Sequence, residues 1–428
     1  MKWLLYNVLF TVAYLAMMPS FLLRMKRRGG YRARMGDRFA RYPEGMFGAA
    51  PVAGGGPVWI HAVSVGEVQV AGQLMRAMRA VEPSLTFVFS TTSSTGWRTA
   101  EKEVAPGDIL IYNPLDFPRL VRRALDQVRP RAVILTETEI WPNFIREVRR
   151  RGIPLFLANA RISDRSAPRY RALRFFFGEV FRCFTKSYVQ SDLDADRLVA
   201  AGADRARLEV TGSFKFDVAR RNPAKEAELR AWVGPGRILL GGSTWPGEDE
   251  VLLRALDGLP PDVTLVIAPR HFEKADAVEA NILKAGCACV RRSRGDSAAS
   301  KATDRRTVYL ADTTGELMGL FGIASVAFVG KSLCAHGSQN MIEPCLCGVP
   351  TLVGPYTENF RPVMSDLLSA GAIVQVKDER ELVSRIRSFL GADGAAESAA
   401  LGERAKAAVE RRKGVTGRCA RDILSFLA

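Results

Sequence analysis

Histidine is scarce in this chain: three in 428 residues. The seven cysteines form no C-x-x-C; Cys287 and Cys289 are separated by one residue, as are Cys345 and Cys347. Zinc-site spacing and a disulfide framework are therefore both excluded, which leaves free thiols in a reducing compartment. Neither G-x-G-x-x-G nor G-x-x-x-x-G-K-[ST] occurs, so a dinucleotide dehydrogenase or a P-loop ATPase would lack its phosphate-binding loop. Acidic residues are in deficit, 45 against 61 basic ones, and the resulting charge of +16 favours anionic partners.

The length suits two domains better than one core. Residues 3–23 (WLLYNVLFTVAYLAMMPSFLL) carry no charge, and as a helix they would span ~30 Å, enough for a bilayer core. Pro19 is expected to end or bend that helix. Arg24, Lys26, Arg27, Arg28, Arg32, Arg34, Arg38 and Arg41 follow, against a single acid, Asp37. This cluster predicts an uncleaved anchor with the body of the protein on the cytoplasmic side, in contact with anionic lipid headgroups. A cleaved signal peptide fits less well, because arginines stand where small residues should. Whether the anchor spans or lies in the interface stays open. Nucleic-acid binding would call for basic residues interleaved with aromatics on one surface, whereas here the densest basic cluster abuts the apolar run.

Beyond a Gly/Pro/Ala-rich linker at Gly45–Pro57, apolar runs alternate with amphipathic stretches. Strands are predicted at Val58–Val63, Leu85–Ser90, Ile109–Tyr112, Ala132–Thr136, Pro154–Ala158, Ser187–Val189 and Leu208–Thr211. After a pause near Asp217–Pro235 come Ile238–Leu240, Thr264–Ile267, Ala288–Val290, Thr307–Leu310, Val326–Val329, Thr351–Val353 and Ile373–Val376. The alternation predicts an α/β fold of two doubly wound, Rossmann-like domains facing across a cleft, with ligands at the strands' carboxyl ends. The expected boundaries are an anchor at 1–24, a basic segment and linker at 25–57, a first domain at 58–217, a linker at 218–236 and a second domain at 237–428.

The motifs should therefore lie in strand-to-helix turns. In HAVSVGE, Gly66 permits a tight turn and Glu67 opens a helix whose dipole favours the carboxylate anion; Glu67 could take a proton from a hydroxyl or could simply suit the first turn. The hydroxyls of STTSSTG (90–96) make a plausible phosphate or sugar cradle, though Ser and Thr are also ordinary caps. In TETEIWPN, Glu137 and Glu139 are alternate residues after a strand and could share a face, for acid/base work or an arginine salt bridge. NARISDRS (159–166) leads into a stretch with an apolar stripe of Leu173, Phe177, Val180, Phe181 and Phe184 and with arginines at 171, 174 and 182. It suits either a membrane surface or a domain core. Lys215 in GSFKFD and Arg270 in APRH suit phosphate or carboxylate charge. GSTWPGEDE, TTGELM and HGSQNMIEP place glycines and hydroxyls before helices. No predicted strand ends in D-x-D, so metal-independent chemistry is favoured.

Taken in order, these motifs resemble the Kdo (3-deoxy-D-manno-oct-2-ulosonic acid) transferases of Gram-negative bacteria, a GT-B glycosyltransferase family, from the anchor to about residue 405. The resemblance implies inverting transfer of Kdo from CMP-Kdo to a lipid A precursor (lipid IVA) at the inner membrane, with no metal, no other cofactor and no obligatory protein partner. It implies Glu67 as general base, with Glu137, or less readily Glu139, and Lys215 as transition-state stabilisers. It places CMP contacts at Pro269 and Arg270, at Thr314, Gly315 and Glu316, and at Asn340, Met341, Ile342 and Glu343. The chain departs from the pattern at Ser338 and Gln339, where the family commonly has glycine and histidine, at Met341-Ile342, where it has Pro-Leu, and in the turn Pro355–Phe360, which is histidine-rich in the family. A GT-B transferase using another nucleotide sugar, such as UDP-GlcNAc, and a non-catalytic membrane scaffold are the competing readings.

Overall fold

The computed structural model describes residues 1–28, 34–48, 55–296, 306–391 and 393–427. All fourteen expected strands are present, and each sheet is parallel throughout. The first holds β1 (Val58–His61), β2 (Phe87–Thr91), β3 (Ile109–Tyr112), β4 (Ala132–Thr136), β5 (Leu155–Ala160), β6 (Lys186–Val189) and β7 (Leu208–Val210), in the order β3-β2-β1-β4-β5-β6-β7. The second holds β8 (Arg237–Thr244), β9 (Val263–Pro269), β10 (Ala288–Arg291), β11 (Thr307–Leu310), β12 (Val326–Val329), β13 (Thr351–Val353) and β14 (Val374–Gln375), in the order β10-β11-β9-β8-β12-β13-β14. Each order reverses once, between β1 and β4 in the first sheet and between β8 and β12 in the second. Ligands of doubly wound sheets bind at such switch points.

The central strands are buried on both faces, as parallel sheets covered by helices require. Trp59, on β1, is fully buried and satisfies its indole by donating to Ser90 Oγ at 2.8 Å.

The chain divides into two compact units, residues 1–214 with 414–428, and 215–413. This corrects two expected boundaries. The linker at 218–236 contains a helix, Pro223–Val233, whose Leu229 and Val233 join a core of the second unit. Its large apolar residues, Leu229, Trp232 and Val233, fall only at its end, after a charged first half that shows no apolar period. The last fifteen residues, expected in the second domain, belong to the first. Their helix Val415–Ser425 packs on helix Val65–Val81 and buries Val415, Ile423 and Leu424. Asp422 accepts from Lys186 at 2.7 Å and Tyr188 at 2.6 Å.

The N-terminal helix runs from Lys2 to Arg28 with Pro19 inside it, so it does not end at that proline. By length and composition it could cross a membrane over Lys2–Ser20. Of the basic cluster, Arg32 and the side chains at 24 and 26–28 lie outside the described residues, as do parts of the linker at 45–57 and of the loop at 291–304. Arg38 is buried, donating to the Thr92 carbonyl and lying over the Tyr112 ring, so it is unavailable to lipid.

Ending the chain at Lys413 should cost the first unit on the order of 5 kcal/mol, from three large apolar side chains returned to water. Denaturant unfolding of the truncated and full chains checks this.

Candidate functional site

In the first unit, β1 and β4 flank the switch point, and the loop after each delivers glutamates. Ser64 caps helix Val65–Val81. Its hydroxyl donates to Glu67 Oε1 at 2.7 Å, and the Val63 N–H donates to Oε2 at 2.9 Å. Glu67 thus closes a capping box, so the helix-start reading holds for its geometry. Its dipole does not settle its ionisation. Burial and then the charge of Glu137 raise its pKa, and the bonds from Ser64 and Val63 offset only part of this. A carboxylate moved toward neutrality is a better base at working pH. Gly66 sits inside the helix with open space at its Cα, so no tight turn depends on it.

In the 90–96 turn the hydroxyls of Ser90 and Ser93 are committed to the protein. Ser90 serves Trp59 and His61. Ser93 caps the next helix and donates to the Val63 carbonyl at 2.9 Å. A side chain at Gly96 would strike that carbonyl at 2.5 Å, so the turn buttresses the Glu67 loop.

Glu137 and Glu139 lie past the end of β4, so the alternate-residue argument for a shared face does not apply. Glu137 takes a left-handed φ of 52°. It is buried, bound by Arg161 Nε at 2.9 Å and Asn159 Nδ2 at 3.3 Å. It is therefore the ion-paired member. Glu139 turns the other way, and its Oε2 lies 3.9 Å from His61 Nε2. Burial, then the charge of Glu67, push it up to about 8, with the Trp141 N–H offsetting part and Glu137 adding to the rise. Burial lowers His61 to about 4, against the bond that its ring nitrogen donates to the Ser90 carbonyl, so at neutral pH His61 and Glu139 meet as uncharged groups. The three carboxylates thus act on one another electrostatically.

His61, Trp141, Asn159 and Arg161 were not assigned a role from the sequence. The available signal was their position inside HAVSVGE, TETEIWPN and NARISDRS, which says nothing about which side chain meets which. Of the apolar stripe at 173–184, Val180, Phe181 and Phe184 are buried, but Leu173 is exposed at a break between helices Ala167–Ala172 and Arg174–Phe181.

In the second unit, Pro269, Arg270, Thr314, Gly315 and Glu316 line one cavity of about 140 Å³ with Ser243 and Phe272. Arg270 is exposed, and its backbone N–H bonds the Thr244 carbonyl. The Glu316 carboxylate is occupied by Arg292, Lys225 and Thr313. Burial opposes its anion, but these bonds outweigh it and hold the group at about 2. What this turn offers a ligand is Thr314 and Gly315, the latter at φ 85°.

Asn340 and Glu343 are joined by a 3.0 Å bond, and burial raises Glu343. Met341 and Ile342 have side chains in the core, so any ligand contact there is through backbone. Ser338 adopts φ 59°, a conformation that glycine takes most easily. Lys215 opens the second unit, with its ammonium over the Phe360 ring.

Glu248, in GSTWPGEDE, is fully buried. It accepts from the backbone N–H of Trp245 (2.7 Å), Lys331 (2.9 Å), Ser332 (3.1 Å) and Leu333 (3.0 Å). The turn after β12 therefore spends the N–H groups of Lys331, Ser332 and Leu333 on the protein and not on a phosphate. The turn packs so closely on β8 that a side chain at Gly330 would meet the Ser243 carbonyl at 2.3 Å.

The family described as 3-deoxy-D-manno-octulosonic-acid transferase (kdotransferase) matches residues 33–218. The 3-deoxy-D-manno-octulosonic acid transferase of Bordetella pertussis is 34% identical over 424 residues, 96% of either chain. That of Haemophilus influenzae is 32% identical over 83% of this chain and 82% of its own. The chain belongs to the Kdo transferase family. It is accordingly a glycosyltransferase. Among solved structures, Anabaena HepE in complex with UDP matches with a TM-score of 0.60 over 86% of this chain and 99% of that one, at 13% identity. The UDP-GlcNAc 2-epimerase of Neisseria meningitidis gives 0.60 over 87% and 99%, at 12% identity. These two share the fold.

The elevated Glu139 pKa has a consequence for this transferase's stability. A carboxyl that binds its proton more tightly when folded makes stability fall as pH rises, here from about 4.5 to about 8. Glu139→Gln should match the parent near pH 4 and exceed it increasingly up to pH 8, read by denaturant melts across that range.

Proposed function

We propose that this chain moves Kdo from CMP-Kdo to a lipid A precursor of the lipid IVA type, inverting the anomeric centre without a metal. The observation that carries this is the placement of Glu67 on the loop after β1, half-buried, with its carboxylate oriented by Val63 and Ser64 and its basicity raised by burial and Glu137.

Glu67 takes the proton of a glucosamine hydroxyl. The freed oxygen attacks the anomeric carbon of Kdo on the face opposite the phosphate, and the bond from that carbon to the phosphate oxygen breaks. CMP departs as the phosphate monoester, its charge met by Arg270 and Lys215. Glu137, fixed as an anion by Arg161, stabilises positive charge developing on the sugar ring. Glu139, uncharged at neutral pH, donates a hydrogen bond there. The donor is held by the cavity at Pro269, Arg270, Thr314 and Gly315, with Asn340 and Glu343 serving the nucleoside. The N-terminal helix attaches the enzyme to the inner membrane with both units on the cytoplasmic face, where anionic lipids meet its basic residues.

Incubation with CMP-Kdo and a tetraacylated lipid A precursor, followed by mass measurement, tests the reaction; an unmodified acceptor refutes it. Glu67→Gln, which preserves the helix cap, should lower kcat by about 10²–10⁴ and leave the CMP-Kdo Kd within about twofold. In the parent, kcat/KM should rise with pH through a carboxyl pKa above the usual range and fall again as Glu139 ionises near about 8. Arg270→Ala should weaken CMP-Kdo binding by about tenfold or more, as loss of a charge-assisted phosphate contact does, measured by calorimetric titration.

A further inference from the structure

Among the described side chains, the half-buried positions of the N-terminal helix are Lys2, Trp3, Tyr6, Asn7, Phe10, Thr11, Tyr14 and Met18. They recur with helical period and make one stripe. Through Tyr14 they meet the first unit or face it beside a residue that does. Lys2 pairs with Glu179, and Trp3 donates to the same carboxylate at 3.2 Å. Trp3 and Tyr6 pack on Phe176, with ring centroids 5.1 and 5.3 Å apart. Phe10 and Tyr14 pack on Phe117 at 5.2 and 5.7 Å. The Tyr6 hydroxyl donates to Asp116 at 2.8 Å, and Asn143 Nδ2 donates to Asn7 Oδ1 at 2.7 Å. Asp116 is buried and also receives the backbone N–H groups of Asn143 and Phe144. Undocking the helix would strip polar partners from this buried cluster.

The opposite face is aliphatic and exposed: Leu4, Leu5, Val8, Leu9, Val12 and Leu15. Lys2 Nζ reaches the Phe175 carbonyl at 3.4 Å, which brings this face beside a second exposed corner. There Leu173 and Phe175 stand 45% and 61% exposed, flanked by the exposed Arg169, Arg171 and Arg174. The length of the docked portion decides what the helix can do. Residues 3–14 take up about 18 Å of helix against the protein, and the uncharged stretch beyond them, to Leu23, adds only about 13 Å, well short of a ~30 Å hydrocarbon core.

We propose that the helix stays docked and does not cross the bilayer: its aliphatic face and the Leu173–Phe175 corner form one surface that enters a single anionic leaflet, with the arginines at the headgroups. This rests on the membrane attachment in the proposed function and goes beyond it in assigning the attachment a one-sided geometry and a second contact. Tyr170, on the helix that leads to this corner, feels the charge of Glu139. The lipid surface therefore lies one short helix from the carboxylates, as a lipid-borne acceptor hydroxyl needs.

The test uses the full chain, carrying an epitope tag ahead of Met1, bound to sealed phosphatidylglycerol-containing vesicles from outside. Antibody or protease should reach the tag without detergent. A tag protected until the vesicles are dissolved would overturn the one-sided geometry while leaving attachment intact. Failure to sediment with vesicles at all would overturn attachment itself. Arg171→Ala with Arg174→Ala should reduce partitioning into anionic vesicles about 25-fold at low salt, about fivefold per arginine, with little change for neutral vesicles. Unchanged partitioning would remove the corner from the surface.

Discussion

Like charges gathered at one end of a sheet must be held there against their own repulsion, and the first unit is organised around doing so. Glu67, Glu137 and Glu139 come from the two loops that flank the strand-order reversal. Each is held differently: Glu67 by its own helix start, Glu137 by Arg161 and Asn159, and Glu139 by residing mostly as the neutral acid beside a neutral His61. On the proposed mechanism, different surroundings for three chemically identical groups give a base, a fixed anion and a proton donor. That differentiation is the usual way one set of carboxylates performs several tasks.

The second unit solves a different problem. Its glycine-rich turns must approach one another closely, and close approach strands backbone donors. Glu248 collects five backbone donors while sealed from solvent. Arg292 and Lys225 occupy Glu316 in the same spirit. Arg270, by contrast, lines that cavity with its side chain exposed. Residues that look like ligands in a motif can thus be the frame that keeps a neighbour in place.

The N-terminal helix shows how far hydropathy carries and where it stops. Uncharged length marks a membrane segment, and that much is visible in the string of letters. The polar atoms of Asn7, Tyr6 and Trp3 read as tolerated interruptions until Asn143, Asp116 and Glu179 are found opposite them. The buried Arg38 teaches the same lesson in reverse, since a positive charge counted toward lipid is spent inside the domain.

All the strands were legible in the sequence because burial on both faces demands continuous apolar runs, and turns demand glycine, proline and hydroxyls. The placement of Glu67, Arg270 and Glu343 in strand-to-helix turns followed from the same local rules. What only the tertiary structure decided was partnership: that Glu137 pairs with Arg161 while Glu139 faces His61, that Glu248 serves a loop more than eighty residues away, and that the final helix returns to the first unit. These depend on which segments the chain brings together across long separations. Local periodicity encodes which side of an element is buried, but not what it is buried against.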